Sequence, residues 1–78
     1  VPTVLRVGKY RFFFFSNEGA EPAHVHIESG DEYAKFWIEP VGLAKSVGYS
    51  ARELNEIGRI VGKHKKLIKE KWDEHFGD

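Results

Sequence analysis

His24 and His26 stand two residues apart in the run His24-Val25-His26-Ile27-Glu28, and they are the first residues in this chain whose types and spacing could do chemistry. The β-branched Val25 and Ile27 predict a strand, and alternation then sets His24, His26 and Glu28 on one face. The alpha carbons of the two histidines would lie about 6.6 Å apart. Three readings compete for the pair. In the first the imidazoles are structural, held by hydrogen bonds or ring contacts. In the second they share a metal ion, with Glu28 as the nearest further ligand. Glu28 would lie about 13 Å along the strand from His24, so it could join only His26 comfortably. In the third the two imidazoles serve as base and acid in cleaving a phosphodiester without a metal. Arg6, Arg11 or Lys35 would stabilise the developing phosphorane charge, and Trp37 could take a stacked base. No motif in the sequence calls for a cofactor.

The elements that must position these residues can be read outward from them. Residues 3–7 and 10–16 are β-branched and aromatic runs split by Gly8-Lys9, a two-residue link of the type II′ hairpin kind. Residues 17–22 hold Gly19 and Pro22 among polar side chains and predict a loop. A third strand follows over 24–29, a turn at Gly30-Asp31, and a fourth strand over 32–39 that Pro40 ends. Residues 41–49 are expected to form a connector with one helical turn at 43–46. Ser50-Ala51-Arg52-Glu53 spells a capping box, the start of a helix. From there Leu54, Ile57, Val61, Ile68, Trp72 and Phe76 fall on one stripe, interrupted by Lys65 and weakened by Gly58 and Gly62, and Gly77 is a natural stop. His64 and His75 flank that stripe or cap its end. A single helix over 51–76 would be about 39 Å long, against a domain about 30 Å across. It must bend near Gly62 or overhang onto another chain, for which Ile60 and Leu67 offer apolar contacts. The expected fold is α+β: one domain over 1–78, with an antiparallel meander of about four strands within 3–39 and a long C-terminal helix on one face.

The Gly8-Lys9 turn also fixes register, setting Val7 opposite Tyr10, Leu5 opposite Phe12 and Arg6 opposite Arg11. Leu5, Val7, Phe12, Phe14, Val25, Ile27, Ala34, Phe36 and Ile38 then share the helix side. The other face gathers Arg6, Arg11, Phe13, Phe15, His24, His26, Glu28, Lys35, Trp37 and Glu39. Two arginines directly across a hairpin repel each other and want an anion between them. Glu28 or Glu39 could supply it, or a phosphate from a ligand. Wet aromatic rings on this face would call for a second subunit, a small protein partner or stacked bases.

Composition narrows the classes further. Seventy-eight residues leave room for one core, and the absence of cysteine rules out disulfides and thiolate metal sites. Twelve basic and twelve acidic residues balance, which argues against a strong non-specific nucleic-acid binder. Lys63, Lys65, Lys66, Lys69 and Lys71 crowd the C-terminal helix, where a solvated face partly paired with Glu70, Asp73 and Glu74 is the plain explanation. The longest strongly apolar run, Phe12 to Phe15, is too short to span a bilayer. No signal-peptide pattern opens the sequence, and a cytoplasmic location is expected.

Pro2-Thr3-Val4-Leu5, Tyr10-Arg11-Phe12-Phe13-Phe14, Glu21-Pro22 before His24-Val25-His26, and Ala34-Lys35-Phe36-Trp37 together resemble the bacterial family called domain of unknown function 4160. The resemblance runs over nearly the whole chain, and the Glu-Pro-x-His-Val-His string is its specific part. Ala23 departs from the family's second proline there. What the resemblance implies is a small member of a toxin–antitoxin-type gene pair, this chain being the toxin, acting on RNA. The expected partners are therefore a cognate small protein and RNA, with His24 and His26 as acid–base groups and Arg6, Arg11, Lys35 and Trp37 for substrate. The alternative is a non-enzymatic module that pairs or dimerises through Phe13, Trp37 and the helix end. A metal-binding protein using His24, His26 and Glu28 is a further alternative.

Overall fold

The first hairpin forms where glycine permits it. In the computed structural model, which describes residues 3–15 and 20–77, β1 (Thr3–Val7) returns as β2 (Tyr10–Phe13) through Gly8, whose φ of 58° lies in the left-handed region that favours glycine. The pairs Val7–Tyr10, Arg6–Arg11 and Leu5–Phe12 match the register that the turn predicts. A bulge between Thr3 and Leu5 then sets Thr3 opposite Phe13. Ser16, the expected end of the second strand, and residues 17–19 of the expected loop lie outside the described residues.

β3 (His24–Ser29) and β4 (Glu32–Ile38) are joined by Gly30-Asp31, with Gly30 at φ 59°. The sheet then holds a fifth strand, β5 (Val41–Val47), where a connector with a helical turn was expected. Pro40 does end β4, but the chain folds straight back through the cis Glu39–Pro40 peptide. The strand hides in the sequence because Ala44 has no partner on β4. Lys45 faces Lys35 and Leu43 faces Phe36, so two residues of equal parity point to opposite faces. The five strands lie in chain order, every pair antiparallel.

The C-terminal segment is two helices, not one. α1 (Ala51–Lys63) starts at the expected capping box: the Glu53 amide donates to Ser50 Oγ at 3.1 Å, and the Ser50 amide donates to the Glu53 carboxylate at 3.0 Å. It ends at His64, whose φ of −105° and ψ of 17° break the helical course, and α2 (Lys65–Phe76) follows. Gly62 and the polar run after it leave little to hold a straight helix there. The break removes the need for an overhang. α2 returns over the sheet, burying Ile68 and Trp72, and the chain fits within 34 × 22 × 21 Å.

The core lies between the sheet and both helices. Phe12, Phe14, Val25, Ile27, Ala34, Phe36 and Ile38 meet Ile57, Val61, Ile68 and Trp72, with Leu5, Val7, Ile60 and Phe76 packed at the margin. These are the apolar sets that alternation assigns to the helix side. No helix among the described residues is long and apolar enough to cross a membrane.

Candidate functional site

β3 brings the two histidines to the site and its neighbours supply their surroundings. Phe13 of β2 and Lys35 of β4 flank His26 across the strands, and Trp37 stands beside His24. The imidazoles meet edge to face, with ring centroids 5.0 Å apart. Both are buried, at 0% and 2% exposure, among rings: His24 against Trp37 and Trp72, His26 against Phe13, Phe15 and Tyr33. Nearby backbone and side-chain oxygens take up their Nδ1 atoms. His24 Nδ1 lies 2.8 Å from the Pro22 carbonyl oxygen, which can only accept, so that nitrogen carries the proton and donates it. His26 Nδ1 and the Tyr33 hydroxyl are 2.6 Å apart.

The cations expected on this face are present, and the fold supplies anions for Arg11 and Lys35. Arg11 Nη1 donates to Glu28 Oε2 at 2.6 Å and Nε to Thr3 Oγ1 at 2.9 Å. Lys35 Nζ donates to Glu21 Oε1 at 2.8 Å, and the same oxygen lies 3.8 Å from His24 Nδ1. Arg6 stands opposite Arg11 as the turn predicts and makes no ion pair among the described residues. The anion between the arginines is thus met at Arg11 by Glu28. Glu39 has left the face altogether: it follows β4 and borders a surface depression with Gly62, Lys63, Lys65, Lys66, Lys69 and Glu70.

The aromatic residues of this face are less wet than alternation alone suggests. The Arg11 guanidinium lies 4.7 Å from the Phe13 ring centroid, and the Lys35 ammonium 4.8 Å from that of Trp37. Each cation covers apolar surface with its stem and settles its charge over a ring. Phe13 is buried in consequence, and Phe15 is the ring left exposed. Glu28 is committed to Arg11, and among the described residues no three His, Asp or Glu side chains stand close enough to hold a metal ion.

Three contributors escape the sequence reading. Tyr33 has the same parity as Lys35 and Trp37, so extending the alternation one step back along β4 would have found it. Glu21 is in the Glu21-Pro22 string but carries no sign of its neighbours Lys35 and His24. Trp72 comes from α2, and only the return of that helix brings it to His24.

The family described as domain of unknown function (DUF4160) matches residues 10–73. The chain belongs to the DUF4160 family. That match spans β2 through most of α2 and includes every residue of the buried cluster. Comparison with curated proteins and with solved structures gave no match.

Of the other histidines, His75 packs against Phe14 and Phe76, and His64 sits at the helix junction. Lys69 pairs with Asp73 at 2.9 Å and Lys71 with Glu74 at 3.9 Å. Lys63, Lys65 and Lys66 make no ion pair among the described residues.

Proposed function

We propose that this DUF4160 chain works as the toxin-side member of a toxin–antitoxin-type pair and that it acts by binding a protein, as an interaction module. The observation that carries this reading is where the chain keeps its exposed apolar surface. Its large exposed hydrophobic residues among those described are Phe15, Val41, Leu43 and Val47, and three of the four lie on β5. The alternative contact through Phe13 and Trp37 has less support, because Phe13 is buried and Lys35 lies over Trp37. Coexpression with the product of the adjacent gene tests the reading. A stable complex by size exclusion with light scattering is the expected result, and separate elution of the two proteins refutes it.

A second reading keeps RNA as the target, with His24 and His26 as acid and base and Arg6, Arg11, Lys35 and Trp37 around the phosphate and base. The proximity of the two imidazoles, with Lys35 beside them, favours it. Their burial requires Phe15, whose ring lies against His26, to move aside before a phosphodiester could reach them. Growth inhibition and RNA cleavage that persist unchanged in both His24→Ala and His26→Ala rule this chemistry out.

A further inference from the structure

We propose that β5 is a docking strand that takes an extended segment of a partner protein in which apolar residues alternate with acidic ones. The proposal rests on the protein-binding reading above and names the partner's chemistry.

β5 is the last strand of the sheet, paired on one side by β4. Its outer row of amide and carbonyl groups pairs with no other strand among the described residues, so it can extend the sheet by main-chain hydrogen bonds. A strand added there would meet two different surfaces, because the unpaired Ala44 throws Leu43 and Lys45 to opposite faces. On the helix side, Val41 and Leu43 are 37% and 47% exposed and border a groove with Phe36, Leu54 and Gly58. Gly58 is the telling residue. A methyl group there would rest 3.5 Å from the Phe36 ring, in ordinary contact, so nothing in the packing excludes alanine. A glycine inside a helix costs about 1 kcal/mol relative to alanine. What it leaves in exchange is an open groove floor reaching the Phe36 ring.

On the opposite side the edge is cationic. Lys45 stands across from Lys35, whose ammonium is held by Glu21, and Lys45 itself makes no ion pair among the described residues. On the helix side, Arg59 at the groove rim makes none either, so both faces of the edge carry a cation. β5 carries no acidic residue. Like charges across a ladder repel, and an acidic side chain opposite Lys45 on an added strand would relieve that.

The same features disfavour a second copy as the occupant. Antiparallel self-pairing centred on Ala44 would set Lys45 of each copy opposite Leu43 of the other. Centring on Lys45 would stack the two ammonium groups. A bulge and a lysine are devices that keep an edge strand from pairing with itself, and a complementary acidic strand evades both.

The test uses a peptide as long as β5 that alternates valine and glutamate, with a second peptide carrying lysine in place of glutamate. In a backbone amide NMR titration of the full chain, the first peptide should shift residues 41–47 and 54–59, and added salt should weaken it. Lys45→Glu and Leu43→Asp should each reduce its affinity at least tenfold. Gly58→Ala should melt higher than the native chain yet bind the peptide less well, which separates docking from folding. Equal binding of the lysine peptide, shifts confined elsewhere, or no shift at millimolar peptide overturns the proposal. A complex with the adjacent gene's product that survives both edge variants undiminished also overturns it while leaving protein binding intact. If no such complex forms, the binding reading falls, and the peptide titration decides the edge on its own.

Discussion

Replacing His24 by alanine removes a fully buried ring that touches Trp37, Trp72 and His26 and donates to the Pro22 carbonyl. Urea unfolding of His24→Ala should show a loss of about 2–4 kcal/mol, the scale of a large-to-small change in a packed interior. Tyr33→Phe, which removes only the hydroxyl 2.6 Å from His26 Nδ1, should cost about 1 kcal/mol. An unchanged unfolding midpoint in both would deny the imidazoles a structural role. Tyr10 makes a separate residue-scale prediction. Burial first, and then its hydrogen bond to Glu56, push its phenol up from 10.0 to about 12. The neutral form is the one the fold favours, so this contribution to stability is complete below pH 10 and is lost as the pH rises toward 12. Ultraviolet titration of Tyr10→Phe against the native chain should show the missing phenolate at the alkaline end. At this scale the sequence told much about strand faces and little about partners. Arg6 opposite Arg11 follows from one glycine turn, whereas Glu21 near Lys35 depends on how a loop lies against β4.

At the scale of elements, the α1 cap was legible because Ser50 and Glu53 have the spacing that two reciprocal hydrogen bonds need. Ser50→Ala should cost about 1 kcal/mol by thermal or urea unfolding. The hydrogen bond from the Ser50 backbone, then Lys9, hold the Glu53 carboxyl below its ordinary value. That support is present above the free carboxylate's value and is lost as acid protonates Glu53 through its lowered one. Glu53→Gln should therefore differ least from the native chain in acid. Gly62→Ala meets nothing within 4 Å and should stabilise α1 by up to about 1 kcal/mol, read as a rise in melting temperature. Two elements were not legible. β5 combines Gly42, Ala44 and Ser46 with a bulge, and an exposed edge leaves no burial pattern to betray it. The other is the helix break: one long helix that bends near Gly62 or overhangs was expected, and the division into two helices at His64 follows from where α2 finds Ile68 and Trp72 a surface to bury.

At the scale of the molecule, the length argument against one straight helix was sound, and the break answers it within the chain. Phe76 packs at the core margin, so the helix end offers little to a second copy. Together with Lys45 and the bulge on β5, this predicts a monomer of 9.0 kDa when the protein is alone. Light scattering across a wide concentration range checks it, and a concentration-dependent rise in mass would contradict it. The balanced charge of the whole also hides local imbalance, since Lys63, Lys65 and Lys66 crowd one side of the helix junction. Composition gives that sum, but only the folded helices give its distribution.

The contacts of His24 with Trp37, at 5.6 Å, and with Trp72, at 4.9 Å, have an optical consequence. The chain contains two tryptophans, and both indoles lie against this one imidazole. The intrinsic fluorescence of the native protein should therefore report the packing around His24 from two directions, without any label. In His24→Ala both indoles lose that neighbour, so the emission of the folded state should change while the signal continues to follow unfolding. Any event that parts the strand from α2, including the binding of a partner, should register in the same light.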